Sequence, residues 1–386
     1  MSLKNLLSKT VTDLGKRKKF SFGAGKPHTA DQYGVGDVSG WIPSGIDLID
    51  RSLGGGLPLG RISEIFSDDE ANGKTTLLLQ FAIQCQKQDG IVVLLDSEAA
   101  LDRSRAGTMG LDLEKLITFG PETVEDGFEF IDALVQNIAE DKDLQNKPIL
   151  IIWDTIAAAP TRTEKAAAKK EGDAFAGGMV EKPRIIAKAL RNYVQEFFKY
   201  KVHLALVNQS ITNVGNKNPY GPKYVTPGGK AIKFYATLRI KVRRTGYIGD
   251  ARSLEAGDQK MGIKVTVTAV KNKLALPFQD VETFLYGNTG YCNVMSNANW
   301  LLANKSPLLQ QKGGRYYLTS KKCTFWKGLR EAVLADPEIQ AKWTAEVAKA
   351  IPLPPNRAVD PKTGWVMRVE GTPLAEAPET EEAPGV

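Results

Sequence analysis

Histidine is almost absent from this 386-residue chain, which has only His28 and His203. That all but excludes a histidine-based metal site and Ser-His-Asp chemistry. Cysteine is scarce too. Cys85, Cys292 and Cys323 are odd in number and far apart, so they make no disulfide or metal pattern and fit a reducing cytosol. No apolar run reaches the roughly 18 residues that a membrane span needs, so no membrane role is expected. The opening MSLKNLLSKTVTDLGKRKKF lacks an apolar h-region and is not expected to be a secretory signal. There are no internal repeats. The expected location is the cytoplasm, or the host cytoplasm if a virus encodes the chain.

What is present is ordinary for a globular protein: 42% hydrophobic and 25% charged residues. The length predicts two or three structural units. The net charge of +7 is unevenly spread. Residues 1–27 carry seven bases against Asp13, whereas residues 352–386 carry three bases against six acids. A basic head suits nucleic acid, an acidic neighbour or simple solubility.

Leu3–Leu14 has apolar residues at helical spacing, and Lys16–Val35 reads as a basic, Gly-rich linker. From Trp41 onward, short β-rich runs alternate with amphipathic segments. The runs are Arg61–Phe66, Ile91–Asp96, Leu116–Phe119, Ile149–Asp154 and Val202–Asn208. The helices between them include Thr75–Gln88, Val124–Ile138 and Pro183–Tyr200. This pattern predicts a parallel sheet buried on both faces. Ala236–Arg244, Gly262–Lys271 and Val281–Tyr286 are expected to continue it as antiparallel strands. Arg162–Met179 and Ser210–Gly228 read as long loops on the side where open α/β sheets bind ligands. A small α+β unit is expected from about 291 to 351, and a disordered acidic tail from Pro352.

The stretch Ser67–Thr76, SDDEANGKTT, sits between a strand and a helix. Its Gly73-Lys74-Thr75 ending is that of a phosphate-binding loop, G-x-x-x-x-G-K-[ST]. Gly73 allows close backbone approach, Lys74 can reach the β- and γ-phosphates, and Thr75 can hold Mg²⁺. The apolar strand Ile149–Asp154 ends in a carboxylate that can position the metal. The strand Ile91–Leu95 runs into Asp96-Ser97-Glu98, where a carboxylate could orient a water or merely favour a helix start.

Glu64-Ile65, GKTT, Asp96–Asp102, Asp154-Thr155, Val207-Asn208-Gln209, Gly228–Tyr235 (GGKAIKFY) and the segment VKNKLALPF at 270–278 occur in one order. Together they resemble the RecA recombinase family over roughly residues 40–350. The resemblance implies an α/β fold: a RecA-type P-loop ATPase core with a mostly parallel sheet flanked by helices. It also implies an N-terminal polymerisation helix and basic linker at 1–35, the core at 36–290, a C-terminal α+β domain at 291–351 and an acidic tail at 352–386.

The activity so implied is DNA-stimulated ATP hydrolysis by a helical filament on single-stranded DNA. The filament pairs with homologous duplex DNA and exchanges strands, with ATP and Mg²⁺ as cofactors. Single-strand-binding and loader proteins are further expected partners. The implied catalytic residues are Glu98 (water activation), Lys74, Gln209 (γ-phosphate sensing), and Lys271 and Lys273, which reach the neighbouring subunit's ATP. ATP contacts are implied for Asp69, Glu70, Ala71, Asn72, Gly73, Lys74, Thr75, Thr76, Asp102 and Arg105, and Mg²⁺ contacts for Thr75 and Asp154. DNA contacts fall on Lys169, Lys170, Met179, Arg184, Arg191, Val214, Gly215, Lys217, Gly228, Gly229 and Lys230. Phe234 matches the interface aromatic.

There are departures from the family pattern. Asp68 stands where the loop's first Gly belongs, Asp69 where Pro is common, Asn72 where Ser is usual, and Arg105 where a Tyr stacks on adenine. The added acids are expected to weaken triphosphate binding by about 1 kcal/mol each. Tyr220 and Tyr224 could stack on bases or merely stiffen the second loop. Two other classes stay open: a DNA-coating scaffold with little ATPase, and a helicase-type motor on the same core.

Overall fold

Short apolar runs become the strands of one nine-stranded sheet. They are β1 (Ile62–Ser67), β2 (Ile91–Asp96), β3 (Leu116–Phe119), β4 (Ile149–Asp154), β5 (Val202–Gln209), β6 (Leu238–Ile248), β7 (Gly262–Asn272), β8 (Asp280–Tyr286) and β9 (Gly290–Tyr291). The order across the sheet is β9-β8-β7-β6-β1-β5-β4-β2-β3. The strands from β6 to β3 run parallel, and β7, β8 and β9 extend them antiparallel. The structure is a computed structural model. It describes residues 38–69, 72–168, 181–212, 224–248, 262–287, 289–318 and 323–369.

The helices used below are α1 (Asp47–Leu53), α2 (Lys74–Lys87), α3 (Arg103–Met109), α4 (Val124–Glu140), α5 (Arg162–Ala168), α6 (Glu181–Lys199), α7 (Gly229–Tyr235), α8 (Asn293–Ala303), α9 (Trp326–Leu334) and α10 (Pro337–Ala350). The central strands are apolar on both faces because both faces are covered. On one face α2 buries Leu77, Leu78 and Phe81. On the other α4 buries Phe128 and Ile131, and α6 buries Ile186, Leu190, Tyr193 and Phe197 at helical spacing. Each such side chain stabilises the fold by about 2 kcal/mol. The Thr123 hydroxyl accepts from the Asp126 N–H and starts α4, with Glu125 and Asp126 favoured in its first turn.

A third apolar cluster joins α8, α9 and α10 around Met295, Leu329 and Trp343. A three-stranded antiparallel sheet (Gln310–Lys312, Arg315–Tyr317, Cys323–Phe325) lies between α8 and α9. Asp47 on α1 ties this unit to the core. Its Oδ2 accepts from Asn293 Nδ2 (3.0 Å), Asn297 Nδ2 (2.7 Å) and Thr344 Oγ1 (2.7 Å). No described helix is long and apolar enough to cross a membrane.

Two expectations need correction. The chain from Pro352 is not a structureless tail throughout, because Arg357–Val359 and Val366–Arg368 pair as an antiparallel hairpin. Trp365 packs into the main core and Val366 against Trp41. Arg162–Met179 is not all loop either, since its first seven residues form α5. Thr161 and Glu164 make a reciprocal capping box, and Arg162 pairs with Asp126 and Glu129. The helix expected at Leu3–Leu14, the linker after it and residues 370–386 lie outside the described residues.

Candidate nucleotide and nucleic-acid site

β1, β2, β4 and β5 end at one edge of the sheet. In register, Asp96 lies beside Asp154, and Ser67 beside Gln209. The loop after β1 runs into α2 through Gly73, whose φ is +87°. A Cβ at Gly73 would stand 2.8 Å from the Tyr291 hydroxyl oxygen and 2.9 Å from a Leu285 methyl, so the cradle admits only glycine. No side chain caps α2. Its first N–H groups and its dipole therefore face the loop, as an anion site requires. Lys74 is almost buried, and its Nζ donates to Ser67 Oγ (2.6 Å), which in turn donates to the Asp69 carbonyl (2.6 Å). Asn72 is buried and donates to the same carbonyl (3.0 Å). Glycine, lysine and an uncapped helix start fit a triphosphate.

Asp68 does not sit in the anion cradle as an unpaired charge. It forms an ion pair with Lys241 of β6, the residue beside Phe66. The expected repulsion of about 1 kcal/mol is offset for this acid, while Asp69 is exposed. Glu70 and Ala71 lie outside the described residues.

Thr75 Oγ1 donates to Asp154 Oδ2 (2.6 Å), so the two residues expected to hold Mg²⁺ are adjacent. Burial raises the Asp154 carboxyl to about 6; Glu98 and Asp96 add to the rise, against the Thr75 bond and Lys74. Among the described residues no group of three or more His, Cys, Asp or Glu could hold a metal alone. A hydroxyl and one carboxylate fit Mg²⁺ that takes its other ligands from water and phosphate.

Glu98 is exposed at the same edge, and its Oε1 accepts from Thr155 Oγ1 (2.9 Å). Asp96 accepts from the N–H groups of Ala100 and Leu101, which curls the chain at Glu98. Trp153 Nε1 holds Ser97 Oγ at 2.9 Å. The Arg105 guanidinium donates to Thr76 Oγ1 and to the Gly287 carbonyl, both at 2.9 Å. Asp102 caps α3 by accepting from the Arg105 N–H. Arg105 therefore borders the first turn of α2.

Gln209 follows Asn208, which is fully buried and which the sequence marks only as part of the Val207-Asn208-Gln209 motif, with no role of its own. Asn208 Nδ2 donates to Glu64 Oε1 (3.0 Å) and to the Pro227 carbonyl (2.9 Å), and its Oδ1 accepts from the Gln209 N–H (3.1 Å). Glu64 is itself fully buried and paired with Arg239. The signal was present: a Glu inside an otherwise apolar strand needs a partner.

Lys271 and Lys273 are not brought to this edge. Asn272 pairs with Leu238, and Leu238 with Ser63 near the start of β1, so the lysines lie toward the other end of the sheet. Lys271 Nζ donates to the carbonyls of Lys233 (2.6 Å) and Phe234 (3.2 Å) at the end of α7. Burial lowers its pKa, and Lys273 and Arg239 lower it further against Glu64. Phe234 is 71% exposed, and Leu276 (74%) and Phe278 (72%), in the segment that follows Lys273, are exposed too. Large apolar side chains exposed to this degree suit a contact surface.

Arg184 and Arg191 are exposed on one face of α6, with Lys188 between them. Gly228 and Gly229 have φ of +88° and +71°, and a Cβ on Gly229 would be 3.0 Å from Pro183 Cβ. The start of α7, with Lys230 exposed, therefore meets the start of α6. Ile211–Thr212 pairs with Tyr224–Val225 at the base of the second loop. Lys169, Lys170, Met179, Val214, Gly215, Lys217 and Tyr220 lie outside the described residues.

A family model described as the RecA N-terminal domain matches residues 12–292. Protein RecA of Trichodesmium erythraeum (strain IMS101) is 33% identical over 310 residues, 80% of this chain and 79% of the relative. Protein RecA of Thermus aquaticus is 33% identical over 316 residues, 80% of this chain and 86% of the relative. Protein RecA 1 of Myxococcus xanthus is 37% identical over 249 residues, 64% and 66% of the two chains. With that match laid over a mostly parallel sheet whose strand ends gather a GKT loop, Asp154 and Glu98, the chain belongs to the RecA family.

Proposed function

We propose that this protein is a RecA-like recombinase. It hydrolyses ATP on single-stranded DNA, forms a helical filament there, pairs with homologous duplex DNA and exchanges strands. One observation carries the reading. Lys74, Thr75, Asp154 and Glu98 meet at one edge of the sheet, whereas Lys271 and Lys273 stand toward the other end beside exposed Phe234. Such a site is completed by a second copy, which makes hydrolysis depend on polymerisation.

Lys74 and the N–H groups of α2 hold the phosphates. Thr75 and Asp154 would hold Mg²⁺, which would neutralise charge on the phosphates. Glu98 accepts the proton of the attacking water, with Thr155 fixing its carboxylate. The neighbour's Lys271 and Lys273 stabilise charge developing on the γ-phosphate. Gln209 reports the γ-phosphate to the second loop. Arg184, Arg191, Lys230 and the Gly228-Gly229 backbone hold DNA phosphates, so binding is largely independent of sequence. Single-strand-binding and loader proteins are its further partners, the cytoplasm is its location, and 36–290 and 291–351 are its two main units, with the hairpin at 357–368 packed back on the first.

The test is ATP hydrolysis with and without single-stranded DNA, for the wild type and Glu98→Gln. DNA-stimulated turnover that disappears in the variant supports the proposal. DNA binding without turnover in either protein replaces it with a coating scaffold. Turnover with unidirectional unwinding by a closed ring replaces it with a motor.

A further inference from the structure

Arg357 is buried on the C-terminal hairpin, and among the described residues no carboxylate pairs with it. Its Nη1 donates to the Gly54 carbonyl and its Nη2 to the Leu274 carbonyl. The guanidinium carbon stands 4.1 Å from the centre of the Trp41 ring. Burial pushes the group down to about 10, and Nε has no partner. A buried arginine held this way costs stability, which raises the question of what it secures.

It secures the turn after Lys273. Within that turn Asn272 Oδ1 accepts from the N–H groups of Leu274 (2.9 Å) and Ala275 (3.0 Å), and Asn272 Nδ2 donates to the Leu53 carbonyl (3.1 Å). The Lys273 N–H donates to the Thr237 carbonyl (3.1 Å). Leu274 packs on the small cluster of Val38, Trp41 and Val366. The turn is thus fixed from inside by Asn272 and from outside by Arg357. A Cβ on Gly54 would lie 2.7 Å from Ala275 Cβ, so helix end, turn and guanidinium meet only because Gly54 lacks a side chain.

We propose that Arg357 is a positioning residue for cross-subunit catalysis: the C-terminal hairpin clamps the turn that presents Lys271 and Lys273 to the nucleotide of the next copy. The proposal rests on the function proposed above. Arg357 lies by the turn, not by the GKT loop, so its loss spoils what a protomer donates and spares what it receives.

The experiment uses full-length protein with Arg357→Met, which keeps the stem and removes the donors. Arg357→Lys, which cannot bridge both carbonyls, is run alongside in case the first does not fold. MgATP affinity is read without DNA, and turnover on single-stranded DNA. Turnover is expected to fall at least about tenfold, with affinity within about twofold. The decisive step is mixing with Glu98→Gln protomers, whose own site is dead but whose lysine turn is intact. The mixture is expected to turn over several-fold faster than either variant alone, a rescue that a merely destabilised protein would not show. Turnover like the wild type's, or a mixture no faster than its parts, overturns the clamp. Full turnover in a Lys271→Ala, Lys273→Ala double variant would instead overturn the functional reading beneath it.

Discussion

Thr75 Oγ1 donates a 2.6 Å hydrogen bond to Asp154 Oδ2, joining the first turn of α2 to the end of β4 across 79 positions of sequence. The bond is one of the forces that lower the Asp154 pKa; burial outweighs it and brings the carboxyl to about 6 from 3.8.

Well below its unfolded value of 3.8 Asp154 is protonated whether the chain is folded or not, and it costs nothing. Above about pH 6 the folded protein carries a poorly solvated carboxylate, so stability is lost as pH rises through the folded value. Asp154→Asn is therefore expected to stabilise the nucleotide-free protein at pH 8, by roughly 1–3 kcal/mol, with no gain at pH 4. Thermal unfolding across that range checks it. In the same variant, Mg²⁺-dependent nucleotide binding is expected to weaken sharply. A uniform gain at both pH values would mean that Asp154 is not the titrating group.

Asp68 and Lys241 predict a coupled pair at the nucleotide loop. Both side chains are partly exposed, so the pair is worth no more than about 1 kcal/mol. Lys241→Met leaves Asp68 unpaired near the phosphates and is expected to weaken ATP binding by about fivefold. Asp68→Gly, which restores the usual loop residue, is expected to change it by less. The double variant is expected to return to the Asp68→Gly value, and isothermal titration of the four proteins reads the coupling. Strict additivity would show that Asp68 does not act on the nucleotide through this pair.

Much of this was legible in the sequence, for a physical reason. Strands buried on both faces must be continuous apolar runs, and the polar residues at their ends gather into the candidate site. Lys74 was legible from its GKT loop, Glu98 had a role only through the family resemblance, and Asp154 could be read from its strand end. The hairpin at 357–368 could not, because its anchors, Arg357 and Trp365, lie among Pro and charged residues and are held by partners some 300 positions away. The pairing of Asp68 with Lys241 is equally non-local. The helix α5 is a different case: Thr161-Arg-Thr-Glu164 is a capping-box pattern followed by alanines, and its Gly-rich continuation masked it.

Asp47 gives a prediction about how the C-terminal unit is held. One carboxylate oxygen serves two asparagine amides and a threonine hydroxyl from α8 and α10. Asp47→Ala orphans three donors and is expected to cost about 2–4 kcal/mol. Hydrogen exchange is expected to rise in α8 and α10 while β4 and β5 stay protected. Equal loss of protection throughout would show that the two units unfold as one.

The Glu64–Arg239 pair separates a structural role from a relay. Glu64 is fully buried and also holds Asn208, which binds the Gln209 N–H and the Pro227 carbonyl beside Gly228. Breaking a buried pair is strongly destabilising because it strands a charge, so Glu64→Gln is expected to cost about 3–5 kcal/mol. Asn208→Ala strands no full charge and is expected to fold. It frees Gln209 and the end of the second loop from β1, so ATP-dependent tightening on single-stranded DNA is expected to shrink while affinity without nucleotide holds. Fluorescence anisotropy with labelled oligonucleotide, with and without a slowly hydrolysed ATP analogue, measures both. If Asn208→Ala keeps the full nucleotide-dependent gain, the hydrogen bonds around Asn208 serve the fold alone.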